Sequence, residues 1–254
     1  MRPLHTTRRI VLLDELRGLS VLLMVIYHGL YDLVFLFGLN FPFFSWPMRY
    51  LQLYICSSFI LISGICSRLS RNNVKRGLIV LAIALAMTVI TRLFMPSQQI
   101  LFGILHFLGI TMIIHGVFLN HPRKLLPNFW GALLHFALFA FTWGVSSGFV
   151  GFFGLIRLPL PSFLYQLPFL FPLGFPSAGF FSSDYFPLLP WIFLFFAGSY
   201  IGNTLRTDTL PLYFYRSHTA FLAFVGRHSL LIYVLHQPLL YGIMVVLATL
   251  VRNL

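Results

Sequence analysis

Apolar stretches long enough to cross a lipid bilayer follow one another along almost the whole chain, separated by short connections that collect most of the basic residues. A hydrocarbon core about 30 Å thick needs about 20 mostly apolar residues of helix. This pattern predicts spanning helices near residues 16–38, 48–68, 77–95, 99–119, 128–149, 185–203 and 228–250. Breakers agree with those limits: Asn40 and Pro42, Asn72 and Asn73, Pro96, Pro122 and Asn203. The expected fold class is all-α, a polytopic integral membrane helical bundle of about seven transmembrane helices. Composition excludes the soluble alternative. Hydrophobic residues make up 59% and charged residues 9%, against about 25% charged in a soluble domain.

Lysine and arginine number 17 against 5 acidic residues. In a soluble chain that excess would point to nucleic acid, but here the basic groups lie between apolar spans, where the membrane surface explains them. Arg2, Arg8 and Arg9 precede the first span. Arg68, Arg71, Lys75 and Arg76 crowd the second connection, Arg123 and Lys124 the fourth, and Arg206, Arg216 and Arg227 the sixth. The other connections carry almost none, with Arg49, Arg92, Arg157 and Arg252 as exceptions. This alternation places the N-terminus on the cytoplasmic side. The opening segment is basic like a signal peptide. Because the apolar stretch after it holds Asp14, Glu15 and Arg17 and lacks a small-residue cleavage site, it reads as a retained helix.

Residues 150–184 are rich in Phe, Pro and Gly, with Pro159, Pro161, Pro168, Pro172 and Pro176 opposing regular helix. They are expected outside, with short interfacial or re-entrant helices, and an eighth span stays open. Residues 207–226 are expected along the cytoplasmic interface, since Tyr213, Tyr215 and Phe221 accompany Arg216. No repeat or linker divides the chain, which reads as one domain over 1–254. Cys56 and Cys66 share one predicted helix at roughly 15 Å of rise, too far apart to pair.

The first helix carries the chemistry. Ionisable residues inside a membrane are costly and mark function by default. Asp14, Arg17, His28 and Asp32 fall within roughly 60° of one another at about 100° per residue, whereas Glu15 points elsewhere, near the headgroups. His28 lies about 16 Å beyond Arg17 along the axis, and Asp32 one turn farther. A desolvated imidazole stays neutral, the form a general base needs. Asp32 at i+4 is placed to hold one ring nitrogen and stabilise the imidazolium; the bland alternative is a His–Asp pair that only locks the bundle.

Other polar groups fall at matching depth. His106 lies in GILHFLG between Gly103 and Gly109, which permit close approach of a helix or ligand. Asp184 opens the sixth span, with Trp191 deeper in it. His236 and Gln237 interrupt the last span just before Pro238 and read as interhelical hydrogen-bonders. His115 and His135 read as packing or interface residues, and His121, His218 and His228 as loop or boundary residues.

The segments RGLSVLLMVIYHGLYDL, FILISGICSRLSR, GILHFLGI, DYFPLLPWIFLFFAG and GRHSLLIYVLHQPL together resemble the bacterial branch of the heparan-alpha-glucosaminide N-acetyltransferase catalytic-domain family. The resemblance covers nearly the whole chain and weakens in the loop 150–180. A wider kinship is with membrane acyltransferases that O-acetylate glycans. Those proteins typically carry an Arg, ten residues, then a His on the first helix, a spacing met here by Arg17 and His28. They also carry an Arg-x-x-Arg pair at the cytoplasmic face, which Arg68 and Arg71 resemble. The resemblance implies that His28 is the acyl-transfer base and that the arginines help hold acyl-CoA. This chain departs from the animal heparan acetyltransferases, whose proposed catalytic His is not in the first-helix block, so their heparan substrate is not carried over.

The expected activity is therefore transfer of an acyl group, acetyl foremost, from cytoplasmic acyl-CoA to a hydroxyl or amine of a glycan or amino-sugar acceptor at the outer side of a bacterial inner membrane. His28, Asp32, His106 and Asp184 form the expected catalytic set; Asp14, Arg17, Arg68, Arg71 and Arg76 form the donor-binding set. Acetyl-CoA or another acyl-CoA is the expected donor, with no metal, no nucleic acid partner, and a homodimer left open. Plain positive-inside orientation is the alternative reading of the cluster from Arg68 to Arg76. Two other functions compete. A proton-coupled transporter could use a His28–Asp32 relay, but no inverted repeat or broken-helix pair supports it. A haem or metal protein could use the nine histidines, but no ligand spacing supports that.

Overall fold

The computed structural model describes residues 9–35, 37–118, 128–152, 155–206 and 210–252. It is 72% helical. Arg2, Arg8, His121, Pro122, Arg123 and Lys124, with the expected cytoplasmic connection at 120–127, lie outside the described residues.

The helices are α1 (Val11–Phe35), α2 (Trp46–Leu69), α3 (Asn73–Phe94), α4 (Ile104–Phe118), α5 (Asn128–Phe141), α6 (Leu188–Leu205), α7 (Ala220–Arg227) and α8 (Ser229–Arg252). Six segments among the described residues are long and apolar enough to cross a membrane, and α4 is a shorter apolar helix. Large apolar side chains stay uncovered along their length, among them Leu85 and Leu93 on α3 and Leu231, Leu239 and Val246 on α8. In water such surfaces would be a liability; in lipid they are solvated. The chain is an all-α, multi-pass membrane protein.

The chain divides into two compact units, one within residues 1–62 and 207–254, the other within 63–206. In the first, α1 packs against α7 and α8, over a core of Val21, Met24, Ile55 and Val225. Two glycines let α1 and α7 meet backbone to backbone. A Cβ on Gly226 would stand 1.8 Å from the Asp14 carbonyl oxygen, and one on Gly18 would stand 2.1 Å from that of Leu222. The segment expected to lie along the interface thus includes a short helix seated on α1. Its start is held by Glu15, which is buried. The carboxylate accepts from the backbone N–H of His218 at 2.6 Å and of Thr219 at 2.8 Å, from Ser217 Oγ at 3.1 Å, and faces His218 Nδ1 at 3.1 Å. The carboxylate thus fixes the backbone leading into α7, binding the N–H of its N-cap residue Thr219 and that of the residue before it.

In the second unit, α3 packs on α4 and α5 on α6. Glycine again sets the spacing: a Cβ on Gly77 would lie 2.7 Å from Gly109 O, and one on Gly109 would lie 2.8 Å from Leu81 N. Helix α4 starts five residues later than expected because residues 99–103 are tied to 182–186. Ser183 N donates to Gln99 O at 2.9 Å, and Phe186 N donates to Phe102 O at 2.9 Å. The described part of 149–184 holds a two-residue antiparallel pair, Phe149–Val150 with Leu158–Pro159, and short 3-10 turns at Ser162–Tyr165 and Phe171–Leu173. No α-helix lies there among the described residues, so it holds no eighth helical span. Tyr165 and Tyr185 anchor this loop by donating to Val145 O and Phe171 O. Burial raises both phenols above their usual range, so they remain donors.

Candidate active site

Helix α1 is continuous through all four residues of the polar stripe. At its N-terminal end, Arg9 grips Asp14 with two contacts, Nε to Oδ2 at 2.6 Å and Nη2 to Oδ1 at 3.0 Å. Arg17 Nη1 lies 3.8 Å from Asp14 Oδ1. Asp14 is thereby committed to orienting two guanidinium groups, one of them the expected donor ligand Arg17. Arg9, counted in the sequence only as an orientation charge, joins this group.

Farther along, the stripe meets α8. Gln237 Nε2 donates to Asp32 Oδ1 at 2.9 Å and to Oδ2 at 3.0 Å, and Asp32 is almost wholly buried. The expected bond from Asp32 to His28 is replaced by this one. The carboxylate leans toward α8, where one amide engages both of its oxygens. The His28 ring instead faces His236, with centroids 5.0 Å apart and planes at 63°. His236 Nδ1 lies 2.6 Å from Tyr233 O. A carbonyl oxygen only accepts, so Nδ1 carries the proton and, in the neutral ring, Nε2 is bare. That Nε2 and Gln237 Oε1 are both buried without a hydrogen-bond partner. The first unit thus sets two imidazoles face to face and, one helical turn farther along α1, a carboxylate against an amide.

His106 and Asp184 lie in the second unit, each engaged by its surroundings. Gly103 N donates to His106 Nδ1 at 3.2 Å, which leaves the ring proton on Nε2, 3.1 Å from Thr88 Oγ1. Thr88 in turn donates to Ile100 O at 2.7 Å. Asp184 Oδ2 accepts from Ile104 N at 3.0 Å, at the first turn of α4. Gly103 makes room for it, since a Cβ there would lie 2.2 Å from that oxygen. This geometry suits a helix cap and a tautomer-locked histidine holding residues 99–104 in place. His115, read as a packing residue, is similarly satisfied. Asn73 Nδ2 faces its Nδ1 at 3.2 Å, and its Nε2 faces Ser199 Oγ at 2.9 Å.

The remaining cations of the donor set also belong to the second unit. Arg68 is in the last turn of α2; Arg71 is exposed in the connection; Arg76 is exposed in the first turn of α3. Lys75 N donates to Asn72 Oδ1 at 2.9 Å, capping α3. That first turn carries no acidic residue, so Lys75 and Arg76 reinforce the positive end of the helix dipole. Among the described residues, no three His, Cys, Asp or Glu side chains group as a metal site.

These features define a multi-pass helical membrane protein with buried polar side chains on its first and last helices. The family model described as heparan-alpha-glucosaminide N-acetyltransferase, catalytic, matches residues 9–238, and the chain belongs to that family of transferases. No curated protein and no solved structure gives a significant match.

Proposed function

We propose that the chain transfers an acyl group, acetyl foremost, from cytoplasmic acyl-CoA to a hydroxyl or amine of a glycan-like acceptor on the far side of a bacterial inner membrane. Family membership supports the transferase and the acetyl group. The observation that carries the reaction centre is the cluster on α1 and α8, where His28 faces His236 and Asp32 is held by Gln237. His28 is assigned to proton transfer. Asp32 acts through Gln237, fixing an amide whose oxygen stays open to a substrate. Arg17, set by Asp14, is assigned to the donor, and so are Arg68, Arg71 and Arg76. For these three the support is the Arg-x-x-Arg likeness and a helix N-terminus free of acids, a suitable environment for phosphate. His106 and Asp184 are assigned to shaping residues 99–104 and 182–186, which serve the acceptor side.

Purified protein in detergent, given radiolabelled acetyl-CoA with and without glucosamine, tests the reading. Donor binding followed by release of free CoA is expected. Failure to bind or turn over acetyl-CoA, together with proton uptake in proteoliposomes under a gradient, would replace the transferase by the transporter.

A further inference from the structure

We propose that His236 is a second catalytic imidazole, taking the proton of the attacking hydroxyl or amine on Nε2 while Gln237 Oε1 accepts from a second N–H or O–H of the same acceptor molecule. The inference rests on the transferase reading above and adds residues to its site.

Hydrogen-bond accounting carries it. The Tyr233 carbonyl at 2.6 Å fixes the His236 proton on Nδ1, so the opposite nitrogen presents a lone pair. The Asp32 carboxylate, an acceptor at both oxygens, fixes the orientation of Gln237: its nitrogen turns to Asp32 and its oxygen turns away. Both freed atoms are buried and unpartnered, and they come from consecutive residues of α8. An unmet buried acceptor is costly, and here two adjacent residues leave one each. Both atoms accept. The complementary occupant is a group that donates, such as a hydroxyl or an amine, and not a carboxylate or phosphate.

The geometry also separates His236 from the other buried histidines. His106 and His115 have both ring nitrogens engaged and can take no further proton without breaking a bond of the fold. On His236 the backbone carbonyl that fixes the tautomer also stabilises the imidazolium formed on protonation. In the step proposed, the acceptor's O–H or N–H proton passes to Nε2 as its oxygen or nitrogen bonds to the thioester carbonyl carbon. The carbon–sulfur bond then breaks, the electron pair leaves with sulfur, and the proton returns through the His28–His236 pair to give the thiol.

The test uses full-length protein in detergent with acetyl-CoA and glucosamine as probes, scoring transfer and hydrolysis together. His236→Asn keeps an amide N–H able to reach Tyr233 O but ends short of Nε2. The expected result is a normal melt, normal acetyl-CoA affinity and turnover lower by about 10²–10⁴-fold. A folded His236→Asn protein with wild-type turnover would overturn the proposal and leave an enclosed water as the partner of Nε2. Should the Asn variant fail the melt, His236→Gln decides: normal turnover overturns the proposal, and lost turnover with intact donor affinity supports it. A wild-type protein that never turns over acetyl-CoA removes the transferase reading itself, a result distinct from either.

Discussion

Glu15 offers the most direct check on how the first unit is assembled. Its buried carboxylate receives the backbone N–H groups of His218 and Thr219 and the hydroxyl of Ser217. Glu15→Ala withdraws all of these acceptors at once. A hydrogen bond to a charged group contributes about 1.5–3 kcal/mol. Because residues 217–219 are exposed and water can replace part of the loss, the two backbone bonds should amount to about 2–4 kcal/mol together. Glu15→Gln keeps one acceptor oxygen but turns an NH2 toward other donors, so its cost should fall between wild type and Ala. The assay is a thermal melt in detergent, read beside limited proteolysis of residues 210–219. Both variants should melt earlier and be cut faster there, in the order Ala before Gln. At conditions where each is folded, turnover should stay near wild type, since Glu15 lies off the stripe of Arg17, His28 and Asp32. A Glu15→Ala protein that melts with wild type and resists cutting equally would refute the cap.

Three further outcomes are expected. His28→Ala should leave acetyl-CoA affinity nearly intact and cut single-turnover transfer by about 10²–10⁴-fold, with Asp32→Asn giving a smaller loss; parallel drops in thermal stability with normal turnover would return both residues to a structural role. Arg68→Ala or Arg71→Ala should weaken donor binding by about 1.5–3 kcal/mol per lost charge-assisted contact, measured by isothermal titration; unchanged affinity in both folded variants would leave the cluster as an orientation charge alone. Cysteine placed at Ser162 should react with an impermeant reagent on intact cells and cysteine at Ser70 should not; the opposite pattern would invert the topology.

Much of the architecture was legible because membrane insertion depends on properties that act along the chain. Apolar length and interrupting Asn and Pro located the six segments long enough to span among the described residues and the shorter α4, expected as a seventh span, and the stripe on α1 followed from helical period alone. The misplaced start of α4 came from a contact between residues 99–103 and 182–186, about 80 positions apart, which no local window registers. Glu15 was assigned to the headgroups by its position near a helix end; its burial comes from α7, which docks through Gly18 and Gly226 more than 200 residues apart. For the candidate site, the sequence set His28 and Asp32 on one helix face and read His236 and Gln237 as interhelical hydrogen-bonders; Gln237 does bond across to Asp32, whereas His236 bonds to Tyr233 on its own helix. It could not rank them, because which ring nitrogen is free depends on a partner, here Tyr233 three residues back on the same helix.

Counting partners therefore discriminates among histidines where depth and residue type do not. His106 and His115 are buried and His236 is half-buried, and each has one nitrogen whose proton is fixed by a neighbour. For His106 and His115 the other nitrogen also finds a partner, so the ring closes a chain of hydrogen bonds between helices or between a loop and a helix. Removing either ring should leave a donor on one side and an acceptor on the other without their partner, and destabilise the second unit. His236 ends its chain: the bond to Tyr233 leads to Nε2 and stops there. A ring placed only for packing gains nothing from a bare buried nitrogen. Asp32 deepens the contrast. Its carboxylate, one turn beyond His28 on α1, is spent on a neutral amide, and the effect of that arrangement is to turn the Gln237 oxygen away from Asp32, where it is buried without a partner. Two helices thus expend three polar side chains to keep two acceptors open, an arrangement that stabilises the fold less than an apolar filling would and that makes sense when a donor-bearing substrate completes it.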